Sequence, residues 1–100
     1  MSVGRSPSWL VRQEHGYCFR LHIPSDLSRH FQLTELRYSL GCVSKKQARV
    51  KASRLGCYVW ELIEQARYEI KVRGYTNMDR DRIKSLIYEY FQEELNEDEK

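Results

Sequence analysis

The spacing of apolar residues along this chain changes from two to three-and-four, and each regime marks an element. Tyr17, Phe19, Leu21 and Ile23 alternate with Cys18, Arg20 and His22, the period of a half-buried antiparallel strand. Before it, "WLVRQ" (Trp9 to Gln13) reads as a partner strand, joined through "EHG", where Gly16 is able to take a positive φ. Pro24 ends the second strand because it has no N–H to give a ladder. "PSDLSRHF" then suits a short helical turn with Leu27 and Phe31 inward. A third strand near "ELRYSL" places Leu36, Tyr38 and Leu40 on one face and Arg37 and Ser39 on the other, until Gly41 breaks the run.

Beyond Gly41 the period lengthens. Ala48, Ala52, Leu55, Val59, Leu62/Ile63, Ala66 and Ile70 form one stripe of a long helix ending near Arg73. Ser44 and Gln47 make a capping box at its start, with Val43 and Ala48 as the hydrophobic staple. Such a helix is about 45 Å long, whereas strands of this length reach only ~17–24 Å. It must overhang the sheet, bend near Gly56, or pack its far half on something else. The small residues Ala48, Ala52 and Gly56 suit close approach of the near half to the sheet. "RGYTN" is a break, with Gly74 as C-cap and Thr76 or Asn77 capping the next helix. There Ile83, Leu86, Ile87, Tyr90, Phe91 and Leu95 share one side and face the overhanging half of the first helix. The predicted fold is α+β: a three-stranded antiparallel sheet packed on a long helix, followed by a second, C-terminal helix. Residues 1–8 read as a flexible leader, 9–75 as the sheet-plus-helix domain and 76–100 as the C-terminal helix.

Composition narrows the function classes. One hundred residues, 41% hydrophobic and 31% charged, suit one foldable domain. No apolar run is long enough to span a membrane, and the first residues lack the apolar segment of a secretion signal. Cys18, Cys42 and Cys57 are too widely spaced for a zinc site, and three unpaired thiols suit a reducing cytoplasm, at least two of them packed as small hydrophobes. The glycines form no phosphate loop, and His15, His22 and His30 are paired with no nucleophile. The expectation is therefore no catalytic residue, no metal, no cofactor and no small-molecule substrate.

Charge is the informative feature. Residues 1–56 carry ten Lys/Arg against three acids, while residues 57–100 carry seven against eleven. From Arg37 to Arg54 there are six cations and no acid. Period-two geometry gathers Arg20, His22, Arg37 and Ser39 on the open sheet face. Arg12 joins them if Leu10 and Arg12 point outward, a register that the first strand leaves open. Lys45, Lys46 and Arg49 crowd the first turns of the long helix, where cations oppose the macrodipole and an anionic partner explains them better. The plain alternative is a solvated charged face. Trp9, Tyr38, Tyr58 and Trp60 read mostly as core rather than as base-stacking residues.

The segment "YCFRLHIPSDLSRHF…ELRYSLGCVSKKQARVKASRL" resembles the N-terminal domain of phage-type integrases, the tyrosine recombinases. The matching residues are Phe19, Arg20, Ile23, Pro24, Asp26, Leu27, Arg37, Ser39, Leu40, Gly41, Ala48 and Arg49. "NMDRDRIKSLIYEYFQEELNEDE" resembles the helix that follows in that group ahead of the core-binding domain, so the likeness spans roughly residues 9–99. It departs at "FRLHIP", where many relatives carry more arginines. The resemblance implies a non-catalytic, double-stranded-DNA-binding module of a site-specific recombinase, its catalytic domain lying downstream. Arg12, Arg20, His22, Arg37 and Ser39 would then face bases or nearby phosphates, with Lys45, Lys46 and Arg49 on the backbone. The alternative implied is an assembly module that contacts other recombinase protomers through the sheet face or the Ile83–Leu95 stripe, without touching DNA.

Overall fold

A computed structural model describes residues 9–41 and 44–95. The expected leader, Cys42, the Val43 staple and the chain end lie outside the described residues, as does the Leu95 side chain. The order is β1 (Leu10–Gln13), β2 (Gly16–His22), α1 (Ser25–Phe31), β3 (Glu35–Gly41), α2 (Lys45–Arg73) and α3 (Arg80–Tyr90), extended by one π turn over Phe91–Leu95. The three strands form one antiparallel sheet in the order β1-β2-β3. Its α+β class is the expected one.

The β1–β2 hairpin turns at Glu14 and His15, with Gln13 opposite Gly16, whose φ of 147° lies where glycine is favoured. Pairing sets the faces, because directly opposed residues share a side. Phe19 stands against Leu10 and Tyr38, and Leu21 against Leu36, on the side packed by α2. Cys18 stands between Val11 and Ser39 on the other side. A bulge at Tyr17/Cys18 shifts the register so that Tyr17 meets Gly41.

Helix α2 runs unbroken through Gly56. Gly56 is buried and carries the Trp9 ring on its surface: a Cβ there would fall 2.0 Å from Trp9 Cε3. The bend considered from sequence is not needed, since the far half of α2 has its own partners. Arg67 clamps Asp26 of α1 through Nε–Oδ2 at 3.0 Å and Nη2–Oδ1 at 3.2 Å. Tyr58 stacks on Tyr90 of α3 with centroids 4.2 Å apart. Leu27, Phe31, Leu62, Ile63, Ala66, Ile83 and Ile87 continue the core begun by Phe19, Leu21 and Leu55.

The helix ends follow their local chemistry. Ser44 Oγ accepts the Gln47 N–H at 3.1 Å, and Gln47 Oε1 accepts the Ser44 N–H at 3.3 Å, so the capping box forms. Gly74 closes α2 in the left-handed conformation, φ 85°, its N–H donating to the Ile70 carbonyl. The cap of α3 is Asp79, not Thr76 or Asn77. Thr76 is otherwise engaged: its hydroxyl donates to the Glu69 carboxylate and accepts the Met78 N–H, holding the connection against α2. His30 Nε2 meets the Met78 carbonyl at 2.8 Å from the other side.

Two tests address this packing. Gly56→Ala is expected to lower stability by about 1–3 kcal/mol through overpacking against Trp9, read as a lower urea midpoint with altered tryptophan fluorescence. The Thr76 hydrogen bond is the main cause holding the Glu69 carboxyl below its ordinary range. A depressed folded-state value gives stability that is present above the unfolded value and lost as pH falls through the folded one. Thr76→Val should therefore lessen the acid sensitivity of the urea midpoint below about pH 4.

Candidate nucleic-acid interface

The open face of the sheet presents Arg20 and His22 from β2 and Glu35, Arg37 and Ser39 from β3. Arg20 stands directly opposite Arg37, a like-charge pair that is unfavourable alone. Glu35 relieves it. Arg20 Nε lies 2.9 Å from Glu35 Oε1, and Arg20 Nη2 lies 3.2 Å from His22 Nε2. His22 Nε2 is itself 4.0 Å from the same carboxylate oxygen. Arg20 is thus held sideways along the sheet, with a neutralising acid, while Arg37 is exposed and makes no ion pair among the described residues. Arg20 points outward as its alternation predicts, but Glu35, absent from the predicted surface, neutralises it. The alternation that turns Arg37 outward turns Glu35 outward as well, so the signal was present.

Arg12 requires a correction. It pairs with Tyr17, on the side shared by Leu10 and Phe19, so it does not join Arg20 and Arg37. The strand begins only at Leu10, so Trp9, whose indole seats on Gly56 of α2, lies ahead of it and outside its alternation. Arg12 lies instead on the helix side at the hairpin end. Because Tyr17 meets Gly41 there and α2 begins at Lys45, this is also the end at which α2 starts.

Lys45, Lys46 and Arg49 are all exposed on the first turns of α2, and that first turn contains no acid. Among the described residues none of the three makes an ion pair. The basic groups therefore fall in two sets. Arg37 and Ser39 lie on the open face, and Arg12, Lys45, Lys46 and Arg49 gather at the hairpin end. Strand β3 leads from the first set to the second. The predicted residues are neither one flat patch nor spread around the whole molecule.

Two further features escaped the sequence. A groove of about 690 Å³ opens beside β2, walled by Trp9, Leu21, Cys57 and Trp60 and edged by Arg20, His22 and Glu61. Trp60 is 40% exposed rather than core, and Cys57 is an exposed free thiol where Cys18 is buried. Among the described residues no group of His, Cys, Asp or Glu is arranged to hold a metal ion, and no helix is long and apolar enough to cross a membrane.

A small antiparallel sheet laid on a long helix, with cations at one end, defines the molecule's class. Residues 9–68 match the family model described as Domain of unknown function (DUF6538), and the chain belongs to that family. The match takes in the sheet, α1 and α2 through Tyr68, and stops before α3. No curated protein and no solved structure matches the chain.

The two thiols supply a test of this geometry. In a Cys42→Ser background, Cys57 should react with a thiol reagent at once, and Cys18 only on unfolding. One reaction phase accounting for both thiols in the native protein would contradict the placement of Cys18.

Proposed function

We propose that this chain is a double-stranded-DNA-binding module of a site-specific tyrosine recombinase, the non-catalytic portion that precedes the core-binding and catalytic domains. The observation that carries this is the run of cations Arg37, Lys45, Lys46 and Arg49, exposed in succession from the open face of β3 to the first turns of α2 and without an ion pair among the described residues. A phosphate-holding surface needs cations that no neighbouring acid neutralises, since affinity for duplex DNA comes chiefly from counterions released as phosphates are paired. The resemblance of residues 9–99 to integrase N-terminal domains supports the same reading.

On this reading the roles divide along the surface. Arg37 and Ser39 stand out from a sheet edge of the kind that enters the major groove, where a guanidinium reaches guanine O6 and N7. Lys45, Lys46, Arg49 and Arg12 serve the backbone at the hairpin end. Arg20 and His22 belong to the same surface, but Glu35 holds Arg20 back. Binding of DNA would draw Arg20 from Glu35 toward a phosphate, exchanging one carboxylate for another anion.

Fluorescence anisotropy with mixed duplex DNA over a salt series tests this reading. Log affinity should fall with log salt at roughly −0.9 per phosphate paired, and removing both Lys45 and Lys46 should make the slope shallower by roughly two such units. Arg37→Ala should relax sequence preference by about 1–3 kcal/mol at the contacted base. Glu35→Gln should tighten binding and steepen the slope, because Arg20 is then uncompensated. A salt-independent signal, or indifference to all of these substitutions, would refute DNA binding by this surface.

A further inference from the structure

Helix α2 has a second stripe, exposed and outside its buried line, whose Cys57 and Trp60 also wall the groove beside β2. Ala48, Ala52, Leu55, Val59, Leu62 and Ala66 face inward and are buried. Lys46, Val50, Ser53, Cys57, Trp60 and Glu64 are all exposed. They follow one another at intervals of four, three, four, three and four, the spacing of a coiled-coil seam. Val50 is 51% and Trp60 40% exposed. The Ile83–Phe91 stripe offers no such surface, since Ile83 and Ile87 are fully buried and Leu86, Tyr90 and Phe91 pack against the core.

The seam is self-complementary when reversed. Turned end for end about position 55, Lys46 meets Glu64, Val50 meets Trp60, and Ser53 meets Cys57. Each match sets an a-type position against a d-type one, as antiparallel helices require. The two smallest side chains fall at the crossing point, where helices approach most closely. An apolar pair flanks them on each side, and opposite charges close both ends, over about 27 Å at ~1.5 Å per residue. A parallel arrangement would instead set Lys46 on Lys46 and Glu64 on Glu64, a like-charge penalty at both ends. Within its own chain Glu64 touches Arg67 at 2.6 Å, but Arg67 is also tied to Asp26, and the Glu64 side chain is half exposed. Lys46 makes no ion pair among the described residues.

We infer that the occupant of this face is a second copy of the chain, docked through α2 in antiparallel two-fold symmetry with Lys46 of each copy against Glu64 of the other. Such a dimer places two basic hairpin ends at opposite ends of one interface, and it stands whether or not the chain binds DNA.

Sedimentation of the full chain without DNA, at low salt and over a concentration series, tests it. The parent chain should show a concentration-dependent monomer–dimer equilibrium. Lys46→Glu and Glu64→Lys should each weaken association roughly tenfold, since each places two like-charge pairs in the seam, and the double exchange should recover it. Trp60→Glu should give a monomer with an unchanged circular dichroism spectrum. A parent chain that stays monomeric at every concentration overturns the proposal. So does a double exchange no better than either single one, or a Trp60→Glu chain that still dimerises. Glu64 has no part in the DNA surface, so a defect in Glu64→Lys separates failure of the dimer from failure of DNA binding.

Discussion

The seating of Trp9 on Gly56 is the contact on which the arrangement depends. It lets α2 approach the sheet where any side chain at position 56 would collide with the indole. Directly after it the first strand begins, and its pairing with β2 sets Leu10 beside Phe19 over the core and Arg12 on the helix side. With Tyr17 opposite Gly41, the start of α2 is confined to the hairpin end of the sheet. The distribution of cations follows from these two constraints. Lys45, Lys46 and Arg49 are brought to the end of the sheet that also carries Arg12, while Arg37 remains on the open face.

Elements whose signal is local were legible from sequence. The alternation in β2 and β3, the capping box at Ser44 and the three-and-four spacing of α2 each arise within a few residues, and the structure repeats them. What escaped was decided by contacts between distant segments. The first strand offers Val11 on one side and Leu10 and Arg12 on the other, and its pairing with β2 selects between them: Leu10 meets Phe19 and goes inward, while Trp9, ahead of the strand, seats on Gly56. Thr76 has the chemistry of a helix cap, yet it is held by Glu69 one turn back on α2, so Asp79 takes the cap. Trp60 was expected in the core because it flanks the apolar stripe of α2. Its place on the helix circumference, away from the Ala52–Val59 line, leaves it 40% exposed.

Six cations between Arg37 and Arg54 without an acid describe the segment, but a surface is made by neighbours in space. Glu35, two residues before Arg37, returns to the same face and satisfies Arg20. The open sheet face is therefore less positive than its arginines suggest, and the uncompensated charge moves toward the start of α2. A surface of that kind suits a partner approached from the β3–α2 corner better than one laid flat across all three strands. Of the second stripe on α2 it takes up only Lys46, leaving the stretch from Val50 to Glu64 open.

Chemical-shift mapping with mixed duplex DNA at two ionic strengths tests the central claim most directly. DNA docking at the β3–α2 corner predicts that the largest perturbations fall on Arg37, Ser39, Lys45, Lys46 and Arg49 and shrink as salt rises. Perturbations confined to α3, or none at low salt, would contradict it.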